Sequence, residues 1–284
     1  MIVITGATGQ LGRLVIQQLL KSTPASQIVA AVRSPEKALD LAAQGVVVRH
    51  ADYTQPESLL AAFQGATKVL LISSSEVGQR VPQHKAAIEA AAKAGVQLMA
   101  YTSILHAPTS PLGLAAEHQA TEALLAESGL PHVLLGNGWY TENYVGSAPA
   151  AVAHGAVLGA AKDGRIASAA RADYAAAAAA VLVASDQAGK VYELAGDTSY
   201  TLTDLAAEIA SQSGKPVGYQ DMTQADYASA LESIGLPTGL AQMLADSDVG
   251  ASKGGLFDDS QQLSQLIGRP TTPLAESVKK ALAV

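Results

Sequence analysis

The chain contains no cysteine, which excludes disulfides, thiolate metal centres and cysteine nucleophiles together. It is also poor in charge and in aromatics: charged residues make up 15% and aromatic residues 4%, with a single Trp. The formal charge is −7 and Lys and Arg nowhere cluster, so no nucleic-acid partner is expected. Any anion must be held in a local pocket. No apolar run approaches the ~20 residues that a membrane-crossing helix needs, so no membrane association is expected. The opening MIVITGATG lacks a basic n-region and has glycines where an apolar h-region would continue, which predicts no signal peptide and a cytoplasmic protein. The six His are scattered and none forms H-x-x-x-H, so no metal site is expected.

Apolar residues supply 49% of 284 positions, enough for a large core and for more than one lobe. IVIT (2–5) is a short β-branched run; three glycines follow, and then apolar positions 11, 14, 15, 19 and 20 recur at helical spacing. The alternation continues: QIVAAVR (27–33), a helix over 34–45, VVVRHAD (46–52), a helix over 55–65, KVLLISS (68–74), a helix through 84–95, QLMAYTS (97–103), a helix over 114–128 and HVLLGNG (132–138). Continuous apolar strands between amphipathic helices predict a Rossmann-type, doubly wound parallel sheet, an α/β fold. Ser34 before Pro35 reads as a helix cap, and Gly45, Gly65, Gly95 and Gly129 as helix stops. After about residue 137 the rhythm changes. A Gly- and Ala-rich stretch (146–164) leads to an alanine-rich helix with Asp173 as its expected N-cap, one more strand follows in GKVYELAG (189–196), and three or four helices complete a small, mostly helical C-terminal lobe. The expected division is a Rossmann domain over 1–140, completed by about 155–195, and a smaller substrate-binding lobe over 141–154 and 196–284.

TGATGQLG (5–12) carries the chemistry. A sharp turn at Gly6, a close backbone approach at Gly9 and helix packing at Gly12 suit a pyrophosphate, which the free N–H groups of the following helix attract. The loop residues Gly6, Thr8, Gly9, Gln10, Leu11 and Gly12 are therefore assigned to a dinucleotide. The second strand ends in Arg33, where an NAD site usually places a carboxylate for the ribose 2′-OH. A guanidinium can instead pair with a 2′-phosphate, so NADPH/NADP is the expected cofactor, with Lys37 a weaker helper. Ser73, Ser74 and Ser75 end the fourth strand, on the edge where a cofactor ribose would lie.

TGATGQLG, AAVRSPEK, LLISSSEVGQR, AYTSILHA, SPLGLAAEH, NGWYTENY and DSDVGASKGGLFDDS together resemble the NmrA-like branch of the atypical short-chain dehydrogenases. Within it they are similar to the type 2 NAD(P)H:quinone oxidoreductases of enteric bacteria and to triphenylmethane-dye reductases. The resemblance implies direct hydride transfer from NADPH to a small molecule in a cleft between the lobes, and cofactor contacts from Asn137, Gly138, Trp139, Tyr140 and Arg171. Ordinary short-chain dehydrogenases protonate a carbonyl with a Ser and a Tyr-x-x-x-Lys pair. Here Ser103 is in place, but if His118 takes the lysine position the tyrosine position is Leu114, which gives no proton. That absence favours acceptors that spread incoming charge, namely quinones, dyes and enones, over simple ketones. His118, Asn137, Trp139 and Tyr140 are the candidate catalytic residues: His118 to protonate or orient, or else to pair with Glu122, and the NGWY loop to stack a planar substrate. Gly136 stands where the family usually has Arg, implying a wider or less positive pocket. A ketone reductase and a non-catalytic NADP(H) sensor are the alternatives, and homodimerisation stays open.

Overall fold

The computed structural model describes residues 1–283. The first half alternates β1 (Ile2–Ile4), α1 (Gln10–Leu19), β2 (Ile28–Val32), α2 (Leu39–Ala43), β3 (Val47–His50), α3 (Pro56–Phe63), β4 (Lys68–Leu71), α4 (Arg80–Lys93), β5 (Leu98–Ile104), α5 (Ala115–Glu127) and β6 (His132–Asn137). There follow α6 (Thr141–Val145), α7 (Ala148–His154), β7 (Ala156–Gly159), α8 (Arg171–Val183), β8 (Val191–Leu194), α9 (Leu202–Ser213), β9 (Gly218–Asp221), α10 (Gln224–Ser233), α11 (Thr238–Ser252), α12 (Gln262–Ile267) and α13 (Leu274–Leu282).

Seven strands form one parallel sheet in the order β3-β2-β1-β4-β5-β6-β8, with Val3 opposite both Val29 and Val69. Because β1 lies between β2 and β4, successive crossovers leave it in opposite directions, and a crevice opens at the C-terminal ends of these strands. Val3, Val29, Val69, Met99 and Tyr101 point to one face and pack with Leu59, Phe63, Ile88 and Leu125 of α3, α4 and α5. Their side chains are buried because a parallel sheet is covered on both faces. The helix-stopping glycines Gly45, Gly65, Gly95 and Gly129 all take left-handed φ.

The chain divides into two compact units. The first comprises 1–107, 116–137 and 171–192; the second comprises 108–115, 138–170 and 193–284. Residues 155–170, which the sequence reading gave to the Rossmann domain, cluster with the second unit. That unit holds five helices after residue 196 among the described residues, not three or four, and a two-stranded parallel sheet of β7 and β9. Each of these strands has four residues, too few for an alternating pattern to emerge from Gly- and Ala-rich sequence.

Local boundaries differ in three further places. The segment 34–45 is a 3₁₀ turn over Pro35–Ala38 followed by α2; Ser34 stands before the turn and its carbonyl accepts from Lys37 N–H at 3.1 Å, but its side chain makes no cap. Helix α4 starts at Arg80, four residues before His84. Asp173 is not an N-cap: α8 begins at Arg171 and Asp173 lies buried in its first turn, where the helix dipole favours a carboxylate. No helix among the described residues is long and apolar enough to cross a membrane.

Candidate cofactor site

The β1–α1 turn has the geometry of an anion cradle. Gly6 takes φ +56°, Gly9 N–H donates back to Gly6 C=O at 2.9 Å, and Gly9 serves as the N-cap of α1. Gly9 and Gln10 are exposed and Thr8 is half-buried, so the first N–H groups of α1 face outward while Leu11 is buried. Gly12 packs against the loop rather than the strand: a Cβ there would lie 2.5 Å from Gly6 O and 2.8 Å from Ala7 Cα. Only a residue without a side chain lets the helix enter so close to its own turn. Arg13 secures the turn from below, with Nε donating to Thr8 C=O and a guanidinium N–H to Asp40.

The remaining first-unit residues follow from strand ends. Since β1, β2, β4, β5 and β6 are parallel, Gly6, Arg33, Ser73–Ser75, Ser103 and Asn137 share one edge of the sheet. Arg33 is largely exposed, and its Nη1 donates to Glu76 Oε1 at 3.0 Å. Gln83 Nε2 holds the other Glu76 oxygen at 2.7 Å, and the Gln83 and Arg33 hydrogen bonds keep the Glu76 carboxyl below its usual pKa. Asn137 is buried at the end of β6, and its Oδ1 has no hydrogen-bonding partner among the described residues. A buried amide oxygen without a donor is costly.

The dehydrogenase positions are used differently from the sequence expectation. Ser103 donates its hydroxyl to Glu122. His118, 5% exposed, bonds Tyr101 Oη through Nδ1 at 2.8 Å and meets Arg80 Nη1 through Nε2 at 3.4 Å. A guanidinium only donates, so Nε2 is the acceptor and Nδ1 carries the proton. Burial, with Arg80 and His84 nearby, lowers the ring pKa to about 3. Both ring nitrogens are thus engaged by neighbouring side chains. Leu114 lies in the turn before α5 and Gly136 is buried opposite Ser103.

In the second unit, Trp139 and Tyr140 are half-buried on a segment stitched by backbone bonds. Gly138 N–H donates to Leu194 C=O at 2.8 Å, Ala169 N–H to Trp139 C=O at 3.1 Å, and Thr141 N–H to Ala169 C=O at 2.9 Å. Thr141, Ser168 and Tyr200 continue this with hydroxyl contacts of 2.8 and 2.6 Å. Arg171 opens α8 in the first unit, half-buried.

Several residues escaped the sequence reading. Thr5 Oγ1 accepts from Ile72 N–H at 3.0 Å and from Tyr53 O–H at 2.8 Å, and Thr102 Oγ1 accepts from Ser73 N–H at 2.9 Å. His84, fully buried, accepts from Ser74 N–H at 3.0 Å. One signal was available: His84 shares a helical stripe with Ala87, Ile88 and Ala91, and a polar residue on an apolar stripe marks a buried bond.

The family described as NAD(P)H-binding matches residues 6–185. Quinone oxidoreductase 2 of Escherichia coli is 66% identical over 278 residues, 98% of this chain and 97% of that protein. The crystal structure of an NADPH-dependent quinone oxidoreductase from E. coli complexed with NADPH superposes with a TM-score of 0.97, covering 99% of this chain and 100% of that one. The structure of Citrobacter sp. triphenylmethane reductase complexed with NADP(H) is 41% identical, with a TM-score of 0.96 and coverage of 99% and 100%. The glycine cradle and these similarities lead to one assignment: the chain belongs to the NAD(P)H-binding family, in the branch that contains the quinone and triphenylmethane reductases.

Proposed function

We propose that this chain is an NADPH-dependent oxidoreductase that passes hydride directly to a quinone or a similar conjugated acceptor such as a dye or enone, working in the cytoplasm. The observation that carries the reading is the Gly6–Gly12 cradle at the C-terminal end of the central strand, in a chain whose E. coli and Citrobacter relatives use NADP(H). The residues present fit that cofactor: backbone donors at the start of α1 for a pyrophosphate, the Arg33 guanidinium for a 2′-phosphate, and an orphaned acceptor at Asn137.

When bound, NADPH supplies the hydride equivalent. The chain supplies binding, orientation and exclusion of water. By the family resemblance Arg171 is a further candidate cofactor contact in the first unit; in the second, Gly138 is a candidate contact, and Trp139 and Tyr140 are the flat side chains suited to a planar acceptor. His118 positions rather than protonates. With Leu114 in the usual acid's place, and Ser103 committed to Glu122, little proton help reaches a ketone oxygen, whereas a quinone spreads the incoming charge over its ring and two oxygens.

Loss of NADPH absorbance with a small benzoquinone, a triarylmethane dye and an activated ketone, each offered separately, tests the reading. Turnover of the conjugated acceptors well above the ketone is expected. Tight NADPH binding with no turnover on any of them would replace the reductase by a non-catalytic NADP(H) sensor.

A further inference from the structure

Behind the Ser73–Ser75 segment, side chains of three elements close a ring. Ser74 N–H donates to His84 Nε2 at 3.0 Å, which leaves the proton on Nδ1 for Thr121 Oγ1 at 2.9 Å. The Thr121 hydroxyl donates onward to Glu117 C=O at 2.8 Å. The His84 ring packs against Tyr101 at 5.5 Å in an edge-to-face contact. Tyr101 Oη takes the His118 Nδ1 proton, and His118 Nε2 faces Arg80 Nη1. Arg80 Nε then returns to the starting residue, donating to Ser74 C=O at 2.6 Å. Both backbone polar groups of one residue, and so the two peptide units that flank it, are thus gripped by side chains that brace each other.

The neighbouring amides are used in the same way. Ile72 N–H goes to Thr5, Ser73 N–H to Thr102 and Glu76 N–H to Ser74 Oγ. The Ile72, Ser74 and Ser75 carbonyls are engaged as well, by Tyr53 O–H, Arg80 Nε and Val77 N–H, which leaves the Ser73 carbonyl and the Ser73 and Ser75 hydroxyls for a ribose diol that donates.

We propose that this ring is a positioning device for the cofactor: His84 and His118 act through Ser74, holding the Ser73–Ser75 segment in the shape that receives a ribose hydroxyl. The proposal rests on the reading that this segment meets the cofactor. It requires each imidazole to accept at Nε2, because a proton there would face the Ser74 N–H or the Arg80 guanidinium. The buried environment serves this: burial, with Arg80 close by, lowers the His84 pKa to about 4.

The test compares wild type, His84→Leu, His84→Gln and Arg80→Met in steady-state NADPH oxidation with a benzoquinone, alongside thermal melting and hydrogen exchange at the Ser74 amide. Losing the Ser74 anchor should raise KM for NADPH about tenfold in H84L, with kcat changed less than about twofold. The Ser74 amide should exchange faster, and H84Q, which keeps an acceptor and a donor, should recover most of the affinity. Arg80→Met, at a half-buried site, should reproduce the KM effect even if H84L fails to fold. An unchanged KM in folded H84L or R80M, or equal losses in kcat and melting temperature with no rescue by Gln, would overturn the proposal. Failure of the wild type to bind NADPH would instead overturn the cofactor reading itself.

Discussion

A methyl group added at Gly12 would stand 2.5 Å from the Gly6 carbonyl oxygen and 3.0 Å from the Gly6 carbonyl carbon. These are backbone atoms, so the loop itself must move. At Gly6 space is ample, with the nearest atom 3.7 Å away, but φ is +56°, which costs an L-residue roughly 1–2 kcal/mol. Gly6→Ala is therefore expected to weaken NADPH binding by up to about five- to thirtyfold, and Gly12→Ala by more than that; titration of NADPH fluorescence checks the order. Arg33 pairs with Glu76, so a bound 2′-phosphate must compete with that carboxylate. Arg33→Ala should lower the NADPH-over-NADH preference in kcat/KM by about tenfold or more, and Glu76→Gln should raise it. The type of residue at 33 was readable from the chain. That Glu76 shares its guanidinium was not, because 43 positions separate the two.

Helix α9 shows what a short local motif can specify. Thr201 accepts from Asp204 N–H while Asp204 accepts from Thr201 N–H, a complete capping box, and Gly214 ends the helix with φ +67°. Thr201→Ala should cost about 1 kcal/mol, seen as a melting temperature lower by a few degrees. Strands and helices with strong periodicity were likewise legible: β1 through β6 all form where apolar runs predicted them. The failures have a common origin in weak local signals. The stretch 34–45 begins with a 3₁₀ turn because the Ser34 carbonyl takes the Lys37 amide, and β7 exists only because β9 pairs with it.

Stability against pH integrates groups from both units, and two opposing trends meet. His84 and His118 have folded pKa values of about 4 and 3, below the unfolded value of 6.5, so the unfolded chain binds more protons as pH falls. Their contribution is complete above about pH 6.5 and is lost on acidification toward pH 4 and below, on the order of several kcal/mol together. Asp248 runs the other way. Burial, opposed by bonds from Ala160 N–H and Tyr144 O–H, raises its pKa from 3.8 to about 6, so it favours the fold below pH 3.8 and this is lost as pH rises through 6. The two imidazoles outweigh one carboxylate, and melting temperature should rise between pH 4 and 6. Asp248→Asn should steepen that rise and gain on wild type by roughly 2–3 kcal/mol between pH 4 and 8. The Tyr144 hydroxyl can turn to accept, so the variant keeps its bonds.

Alternation of apolar runs and amphipathic helices, a glycine turn after the first strand, and Arg33 at the end of the second were enough to specify a parallel sheet, a dinucleotide site and a cationic cofactor edge. These are local properties: periodicity, backbone freedom and charge at a strand end are written in neighbouring residues. Which groups meet across the sheet was settled by folding. Residues 80, 84, 101, 118 and 121 come from three elements and Ser74 from the loop after β4, and nothing in their spacing announces a ring. Its bonds form because burial of His84, Tyr101, His118 and Thr121 leaves their polar atoms to find partners in one another and in the half-buried Arg80.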